Sequence, residues 1–131
     1  MTRVLADTSV WVRHFRRADP VLQSMVATDR IMVHPLVVLE LACGTPPAPR
    51  DRTLHDLQSL KQAVVATFDE TLALIEKERL YDTGCGAVDA MLLASTLLTS
   101  TALLWTDDRK LHAQALRLGV AFQKSGSGLQ S

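Results

Sequence analysis

The sequence has few aromatic residues, few cysteines and few residues that interrupt regular structure. Of 131 residues, 5% are aromatic, two are cysteine, six are glycine and five are proline. So little Gly and Pro excludes collagen-like and linker-rich chains, and 47% hydrophobic residues exclude a chain that stays disordered. Because domains commonly have about 150 residues, the length predicts one globular domain.

A disulfide framework, a membrane span and a strong net charge are also lacking. The two cysteines, Cys43 and Cys85, form no CxxC or zinc pattern. Fourteen basic residues balance fourteen acidic ones, so a protein that holds duplex DNA by charge alone is not expected. The uncharged, mostly apolar stretch at residues 90–105 contains five hydroxyl side chains, and a span needs roughly twenty apolar residues. Since the N-terminus is unlike a secretory signal, we expect a cytoplasmic protein without membrane contact.

Short apolar runs alternate with segments of helical periodicity along the whole chain. The predicted strands are residues 3–6, 31–34, 63–66, 102–105 and 120–122. Such continuous apolar strands are covered on both faces, which predicts an α/β fold with a five-stranded parallel sheet flanked by helices. Asp51 and Asp69 are expected to cap two of the helices. We place the domain at residues 1–123 and interpret residues 124–131 (KSGSGLQS) as a flexible tail or an expression remnant.

Acidic residues directly follow two of the predicted strands. Asp7 comes after the first strand, and Asp107 and Asp108 come after the fourth. In an open parallel sheet, ligands bind beyond the carboxyl ends of the strands, where the strand order reverses. If the first and fourth strands are neighbours there, these acids converge on one crevice. The alternative is that each Asp only caps the helix that follows it.

Two further acids lie in otherwise apolar helical segments. Glu40 is in VVLELAC and Asp89 is in AVDAMLLA, and no Lys or Arg lies within a helical turn of either. A carboxylate in such surroundings must be paired, protonated or bound to a cation. Capping could explain Asp89 but not Glu40, which is in mid-helix. Since oxygen ligands favour a hard cation, four converging carboxylates predict a site for Mg²⁺ or Mn²⁺.

Four segments together resemble a known family. The segments VLADTSVWV, LVVLELACG, AVDAMLLAS and LLWTDDRKL are similar, in this order and spacing, to the motifs of PIN domains. The resemblance covers residues 3 to about 122 and is greatest to the VapC type, the ribonuclease toxins of bacterial toxin–antitoxin pairs. It implies a PIN-like (Rossmann-like) three-layer sandwich and a Mg²⁺- or Mn²⁺-dependent endoribonuclease that acts on cellular RNA.

The resemblance also implies the site residues. Asp7, Glu40 and Asp89 match the family's first three acidic positions. The fourth follows a hydroxyl residue in a Thr-x-Asp pattern, which indicates Asp108, with Asp107 as the alternate. Ser9 and Thr106 match polar positions that help to hold the site, although a helix cap and a strand-end hydroxyl are equally good interpretations. On this basis Asp7, Asp89 and Asp108 are the expected metal ligands, and Glu40 completes the pocket.

Substrate and partners follow from the same resemblance together with the basic residues. The side chains expected to bind RNA phosphates are Arg13, Arg16, Arg17, Arg109 and Lys110. The family implies a VapB-like antitoxin, a protein partner whose C-terminal segment covers an apolar groove, and a homodimer. The expected groove residues are Trp11, Phe15, Val21, Leu22 and Met25. Two other functions stay open at this point: a non-catalytic PIN-like module that binds a protein or RNA, and a metal-dependent DNA nuclease.

Overall fold

The structure is a computed structural model that describes residues 1–124, in which strands and helices alternate. The four strands are β1 (Arg3–Ala6), β2 (Ile31–Val33), β3 (Lys61–Gln62) and β4 (Ala102–Trp105). The seven helices described are α1 (Thr8–Arg16), α2 (Pro20–Ala27), α3 (Pro35–Cys43), α4 (Arg50–Gln58), α5 (Phe68–Glu78), α6 (Ala87–Leu98) and α7 (Arg109–Arg117).

The strands form one parallel sheet in the order β3-β2-β1-β4. The chain adds β2 and β3 on one side of β1 and then returns to its other side with β4, so the strand order reverses between β1 and β4. The predicted α/β class and the neighbouring first and fourth strands are therefore confirmed. A ligand crevice is expected at the carboxyl ends of these two strands.

The prediction of five strands is wrong for the described part of the chain, because residues 120–122 form only a bridge. Leu104 and Ala121 make a single parallel bridge, in which the Leu104 amide donates to Val120 (2.7 Å) and the Phe122 amide donates to Leu104 (2.9 Å). Both hydrogen bonds involve Leu104, so the pairing does not extend to a second residue of β4. The segment covers the sheet edge without becoming a strand.

The third strand lies two residues earlier than the predicted range, residues 63–66. The Ala63 amide still donates to the Val33 carbonyl of β2 (3.0 Å). Two of the backbone amides that follow donate to side-chain hydroxyls of α6 and its C-terminal cap instead. The amide of Val64 donates to Thr99 Oγ1 (2.9 Å) and that of Ala66 donates to Ser95 Oγ (3.0 Å). The strand therefore ends before the apolar run, in which Ala63 and Ala66 are buried while Val64 and Val65 are about half exposed.

Asp residues cap three helices, although not all of those predicted. Asp7, Asp19 and Asp108 cap α1, α2 and α7 through their side chains. The predicted caps Asp51 and Asp69 are wrong because each helix begins earlier: α4 follows Pro49, and α5 follows Thr67. Both Asp residues lie in the first helical turn instead, where a negative charge is favourable beside the helix dipole.

The hydrophobic core lies on both faces of the sheet. Its fully buried members include Val4 and Leu5 of β1, Leu104 of β4, and Leu92 and Leu93 of α6. The last described residue belongs to the packed structure, because Lys124 Nζ donates to Asp19 Oδ2 (2.7 Å) and lies 5.5 Å from the Trp105 ring centroid.

Residues 125–131, most of the predicted tail, lie outside the described residues, so the domain boundary stays a prediction. Among the helices of residues 1–124, none has the length and apolar character needed to cross a membrane.

Candidate active site

The candidate site lies where β1 and β4 end side by side. Asp7 follows β1, and its amide donates to the Trp105 carbonyl of β4 (2.9 Å). The chain continues from the end of β4 into the turn Thr106–Asp108. Two predicted acidic segments that are about a hundred residues apart in the chain therefore meet at one edge of the sheet.

Asp7 is buried, and hydroxyl groups hold both of its carboxylate oxygens. Oδ1 accepts from Ser9 Oγ (2.5 Å) and from the Val10 amide (3.3 Å), while Oδ2 accepts from Thr106 Oγ1 (2.5 Å). Burial raises the pKa of Asp7, and the hydrogen bonds from Ser9 and Thr106 lower it by less. The carboxylate is therefore fixed in orientation without a neutralising charge.

The same two hydroxyl groups organise the turn after β4. Ser9 Oγ accepts from the Asp107 amide (2.9 Å), and Thr106 Oγ1 accepts from the Asp108 amide (3.0 Å). Each hydroxyl therefore accepts a loop amide and donates to Asp7. The structure thus gives Ser9 and Thr106 the positioning contacts that the family resemblance implied, and their role in activity stays a prediction.

The two adjacent acids of the turn have different surroundings. Asp107 receives the Arg13 side chain, with Nε 2.5 Å from Oδ2. Asp108 caps α7 by accepting from the Leu111 amide at Oδ1 (2.9 Å), and its charge raises the pKa of Asp89. Of the two, only Asp108 affects the pKa of another candidate acid, so we favour Asp108 over Asp107 as the fourth acid.

Glu40 differs from the sequence expectation, because its side chain is exposed rather than surrounded by apolar groups. The apolar stretch of α3 itself faces partly outward, and Leu39 is 60% exposed. The carboxylate is held by a residue that the sequence analysis missed: Thr8 Oγ1 donates to Glu40 Oε1 (2.5 Å). A hydroxyl residue directly after Asp7, at the first position of a helix, was the available signal.

Asp89 lies in the first turn of α6. Together with Asp7, Glu40 and Asp108 it forms the set of candidate acids that we call the acidic group. Its Oδ2 accepts from the Gly86 amide (3.4 Å), which is the capping contact that the alternative interpretation predicted. Burial raises the pKa of Asp89, and the charges of Asp108 and Glu40 raise it further. Capping and a place in the acidic group are therefore compatible. The charges of Asp108 and Glu40 thus act on Asp89, and Thr106 Oγ1 contacts both the Asp7 carboxylate and the Asp108 amide.

The donor chemistry fits a hard divalent cation. Within residues 1–124, no Lys or Arg forms an ion pair with Asp7, Glu40, Asp89 or Asp108. In the same range, no three Asp, Glu, His or Cys side chains are placed to hold a metal together. Mg²⁺ does not require three, since it binds through one or two carboxylates and keeps several waters. Unneutralised carboxylates with raised pKa values are the donors that such an ion stabilises.

The predicted basic residues fall into two groups. Arg13 is committed to the fold: its guanidinium donates to Asp19 (2.6 Å) and Asp107 (2.5 Å), and these hydrogen bonds raise its pKa. This engagement counts against the predicted phosphate contact of Arg13. The exposed members of the set are Arg16, Arg17, Arg109 and Lys110.

A loop before α6 borders the acids and carries residues that the sequence analysis did not select. Burial raises the pKa of the Cys85 thiol, the charges of Asp89 and Asp108 raise it further, and Lys110 lowers it. Lys110 lies across Gly84, whose φ is +87° and whose absent Cβ would be 2.5 Å from Lys110 Cδ. The left-handed backbone therefore favours glycine there, and a Cβ at this position would displace the flexible Lys110 side chain.

A groove of about 430 Å³ lies between α1, α2 and α4 on another face. Trp11 and Phe15 line it as predicted, but the other expected groove residues do not. Leu22 is fully buried in the core, and Val21 and Met25 line a separate cleft. The α2 residues that reach the groove are instead Gln23, Val26 and Ala27, because they lie on the opposite side of that helix.

Comparison with known proteins places this geometry in a family. Residues 4–116 match the PIN domain. The chain belongs to the PIN-domain family. This PIN domain is also 44% identical over 124 residues to Ribonuclease VapC32 of Mycobacterium tuberculosis, in strains CDC 1551 / Oshkosh and ATCC 25618 / H37Rv. The match covers 95% of this chain and 99% of the relative, which makes the chain a homologue of the VapC ribonucleases of toxin–antitoxin systems and confirms the VapC-type resemblance.

Solved structures support the fold of this PIN domain. The crystal structure of PAE2754 from Pyrobaculum aerophilum matches with a TM-score of 0.61 and 18% identity, over 90% of this chain and 96% of that one. The DNA-bound VapBC structure from Salmonella typhimurium matches with a TM-score of 0.62 and 15% identity, over 84% of this chain and 90% of that one. At these identities the comparison shows a shared fold.

Proposed function

We propose that this PIN domain is a Mg²⁺- or Mn²⁺-dependent endoribonuclease and the toxin of a toxin–antitoxin pair. One observation carries the proposal: Asp89 is partly buried beside Asp108 and Glu40, which raise its pKa, and no cationic side chain of residues 1–124 pairs with any of the three. A fold that keeps such repulsion without using it would gain stability by losing an acid. The kinship to Ribonuclease VapC32 indicates RNA as the substrate.

The residues divide the chemistry among them. Of Asp7, Asp89 and Asp108, one or two would hold the cation directly and the rest through its waters. When bound, the cation supplies Lewis acidity toward water and toward the scissile phosphodiester. Ser9 and Thr106 keep the Asp7 carboxylate in one orientation through their hydrogen bonds at 2.5 Å. One carboxylate of the acidic group would orient the attacking water or accept its proton.

Exposed cations surround the acidic pocket and would guide the negatively charged RNA. Arg16 lies at the end of α1, Arg109 begins α7, and Lys110 lies across Gly84 beside the acids. Phosphate contacts of this kind position a nucleic acid without reading its sequence. We assign this role to Arg16, Arg109 and Lys110 but not to Arg13, which is ion-paired, or to Arg17, which is the C-terminal cap of α1.

The groove between α1, α2 and α4 is the proposed antitoxin site. Its apolar side chains Trp11, Phe15, Val26 and Leu57 would receive the apolar face of an amphipathic segment. The structural match to a VapBC complex supports a VapB-like partner. We retain the homodimer as a prediction, and the mass of the purified protein by light scattering tests it.

Cleavage of matched RNA and DNA oligonucleotides by the purified chain tests the enzyme proposal. We expect cleavage of RNA in Mg²⁺ or Mn²⁺, none in EDTA, and none by Asp7→Ala or Asp89→Asn. Asp69→Asn removes an exposed acid of α5 and serves as the matched control, which should cleave like the wild type. Cleavage of DNA alone supports a DNA nuclease instead. RNA binding without cleavage in either metal supports a non-catalytic module.

A further inference from the structure

A second cleft, of about 390 Å³, opens between α1 and α3 next to the acidic group. Thr8, Val12 and Arg16 follow one another at four-residue spacing on α1, so they share a face of that helix. Glu40 and Gly44 have the same spacing along α3 and at its C-terminal cap. The lining residues are Val12, Phe15, Arg16, Glu40, Leu41, Gly44, Thr45 and Pro47.

The cleft is continuous with the proposed active site at one end. Glu40 lines it and also accepts the Thr8 hydroxyl (2.5 Å), and Thr8 directly follows Asp7. Arg16 lies two helical turns further along α1, about 12 Å from Thr8 at the α-helical rise. A chain that enters the acidic pocket therefore meets this cleft within a short distance.

Charge and surface character vary along the cleft in a way that suits a nucleotide. Arg16 is exposed, and within residues 1–124 no carboxylate pairs with it, whereas the nearby Arg13 is held by two. Glu40 repels a phosphate at the opposite end, so the favourable place for a phosphate is beside Arg16. The wall between them includes Phe15, an aromatic side chain of the kind on which unstacked RNA bases stack.

We propose that this cleft is a nucleotide subsite for single-stranded RNA. A base next to the cleaved bond packs between α1 and α3, and its phosphate contacts the Arg16 guanidinium. The inference rests on the proposed ribonuclease function and adds to it the position of the substrate relative to the acids. Arg16 is thus a substrate-positioning residue with a role that the neighbouring Arg17, which does not line the cleft, lacks.

Comparison of Arg16→Ala with Arg17→Ala tests the proposal. Binding of a fluorescein-labelled, mixed-sequence, single-stranded RNA is measured by polarisation against salt in an Asp89→Asn background, which prevents cleavage. We expect Arg16→Ala to weaken binding about tenfold, with the slope of log K against log salt reduced by about 0.7. Arg17→Ala should change binding less than about twofold. In the cleaving enzyme, Arg16→Ala should raise KM and leave kcat within about threefold, since it removes binding away from the reacting bond.

A cleft-filling variant gives an independent test. Val12 and Val21 are each 36% exposed, Val12 in this cleft and Val21 in the separate cleft beside Met25, so Val12→Phe and Val21→Phe add the same group to two sites. We expect Val12→Phe to weaken RNA binding about tenfold and Val21→Phe to leave it unchanged, with the two melting temperatures compared as a check on folding.

The outcomes separate this inference from the function beneath it. If the wild type cleaves RNA while Arg16→Ala and Val12→Phe match their controls in binding and KM, the cleft is not a subsite although the enzyme proposal stands. The subsite is equally overturned if Arg17→Ala weakens binding as much as Arg16→Ala, since the attraction is then diffuse. A wild type that neither cleaves nor binds RNA overturns both.

Discussion

Asp89 places a partly buried carboxylate in the first turn of α6, where burial and the charges of Asp108 and Glu40 raise its pKa. A carboxyl group whose folded pKa exceeds its unfolded value near 3.8 costs stability once the pH rises through the folded pKa, because the unfolded chain ionises first. Asn keeps the acceptor for the Gly86 amide and removes the charge. We therefore expect Asp89→Asn to melt higher than the wild type at neutral pH in EDTA, by a few degrees.

The pH profile of the melting temperature is the deciding measurement for Asp89. The advantage of Asp89→Asn should disappear in acid well below the unfolded pKa of 3.8, where the wild-type carboxyl is protonated in both states. Asp69→Asn is the matched control, because it removes an exposed first-turn Asp from α5 and should lose a little stability beside the helix dipole. An Asp89→Asn protein that melts lower than the wild type at neutral pH contradicts the strain we assign to this site.

The pair Asp107 and Asp108 gives a second prediction at single residues. Asn at either position is nearly isosteric and remains a good helix cap, so Asp108→Asn should keep the cap of α7 and fold. We expect it to cleave RNA at least about 10²-fold more slowly, since it loses a charge of the acidic group. Asp107→Asn weakens a half-exposed ion pair with Arg13 and should change the rate by less than about twofold. The reverse ranking in single-turnover assays would assign the fourth acid to Asp107.

At the scale of elements, a buried histidine joins the helices that carry Glu40 and Asp89. His34 caps α3, where its Nδ1 accepts from the Leu36 amide (3.1 Å), and its Nε2 lies 3.0 Å from Ser95 Oγ of α6. Its side chain is fully buried, and burial lowers its pKa. Protonation would place a donor against the Leu36 amide and so break the cap. The neutral ring therefore holds the two acid-bearing helices in register.

This contact predicts a loss of stability in mild acid. A histidine with a lowered folded pKa contributes stability above its unfolded pKa near 6.5 and loses it as the pH falls, by at most about 1.4 kcal/mol per pH unit. His34→Asn retains a cap and should be less stable at pH 7, with a flatter profile from pH 7 to 5. Burial also lowers the pKa of His14, so the pH dependence of the wild type alone does not report His34. The difference in slope between the wild type and His34→Asn does. His55→Asn, which removes an exposed imidazole from α4, is the control for loss of a histidine. If stability depends on pH as steeply in His34→Asn as in the wild type, the role assigned to His34 is contradicted.

Elements were predictable from sequence where one local pattern decides them. Continuous apolar runs identified β1 and β4, and the switch-point rule then placed Asp7 beside the turn that carries Asp107 and Asp108. At the sheet edge the apolar-run criterion for strands failed, because Val64 and Val65 are about half exposed and do not belong to a strand. The apolar run of residues 120–122 likewise forms only a bridge.

The sequence drew attention to the candidate acids, but it did not predict their surroundings. Apolar neighbours in sequence suggested that Glu40 is desolvated, yet α3 turns that side of the helix to solvent. The partner Thr8 comes from another helix, and no periodicity within α3 reports it. Arg13 was selected as one basic residue among several, and only the tertiary fold shows its two ion pairs.

At the scale of the whole molecule, the unneutralised acids predict that a divalent cation stabilises the fold. An ion that binds the native state alone adds about 2.7 kcal/mol of stability at a hundred times its dissociation constant, which for a domain of this size is several degrees of melting temperature. We expect Mg²⁺ and Mn²⁺ to raise the wild-type melting temperature at constant ionic strength, and EDTA to reverse the effect.

The Asn variants locate the ion. The melting temperatures of Asp89→Asn and Asp108→Asn should respond weakly to the metals. Asp107→Asn should respond like the wild type, because the Asp107 carboxylate is already paired with Arg13. A wild type that melts at the same temperature in Mg²⁺, Mn²⁺ and EDTA would show that the acids are not a metal site, and an equal response in all three variants would place the ion elsewhere on the surface.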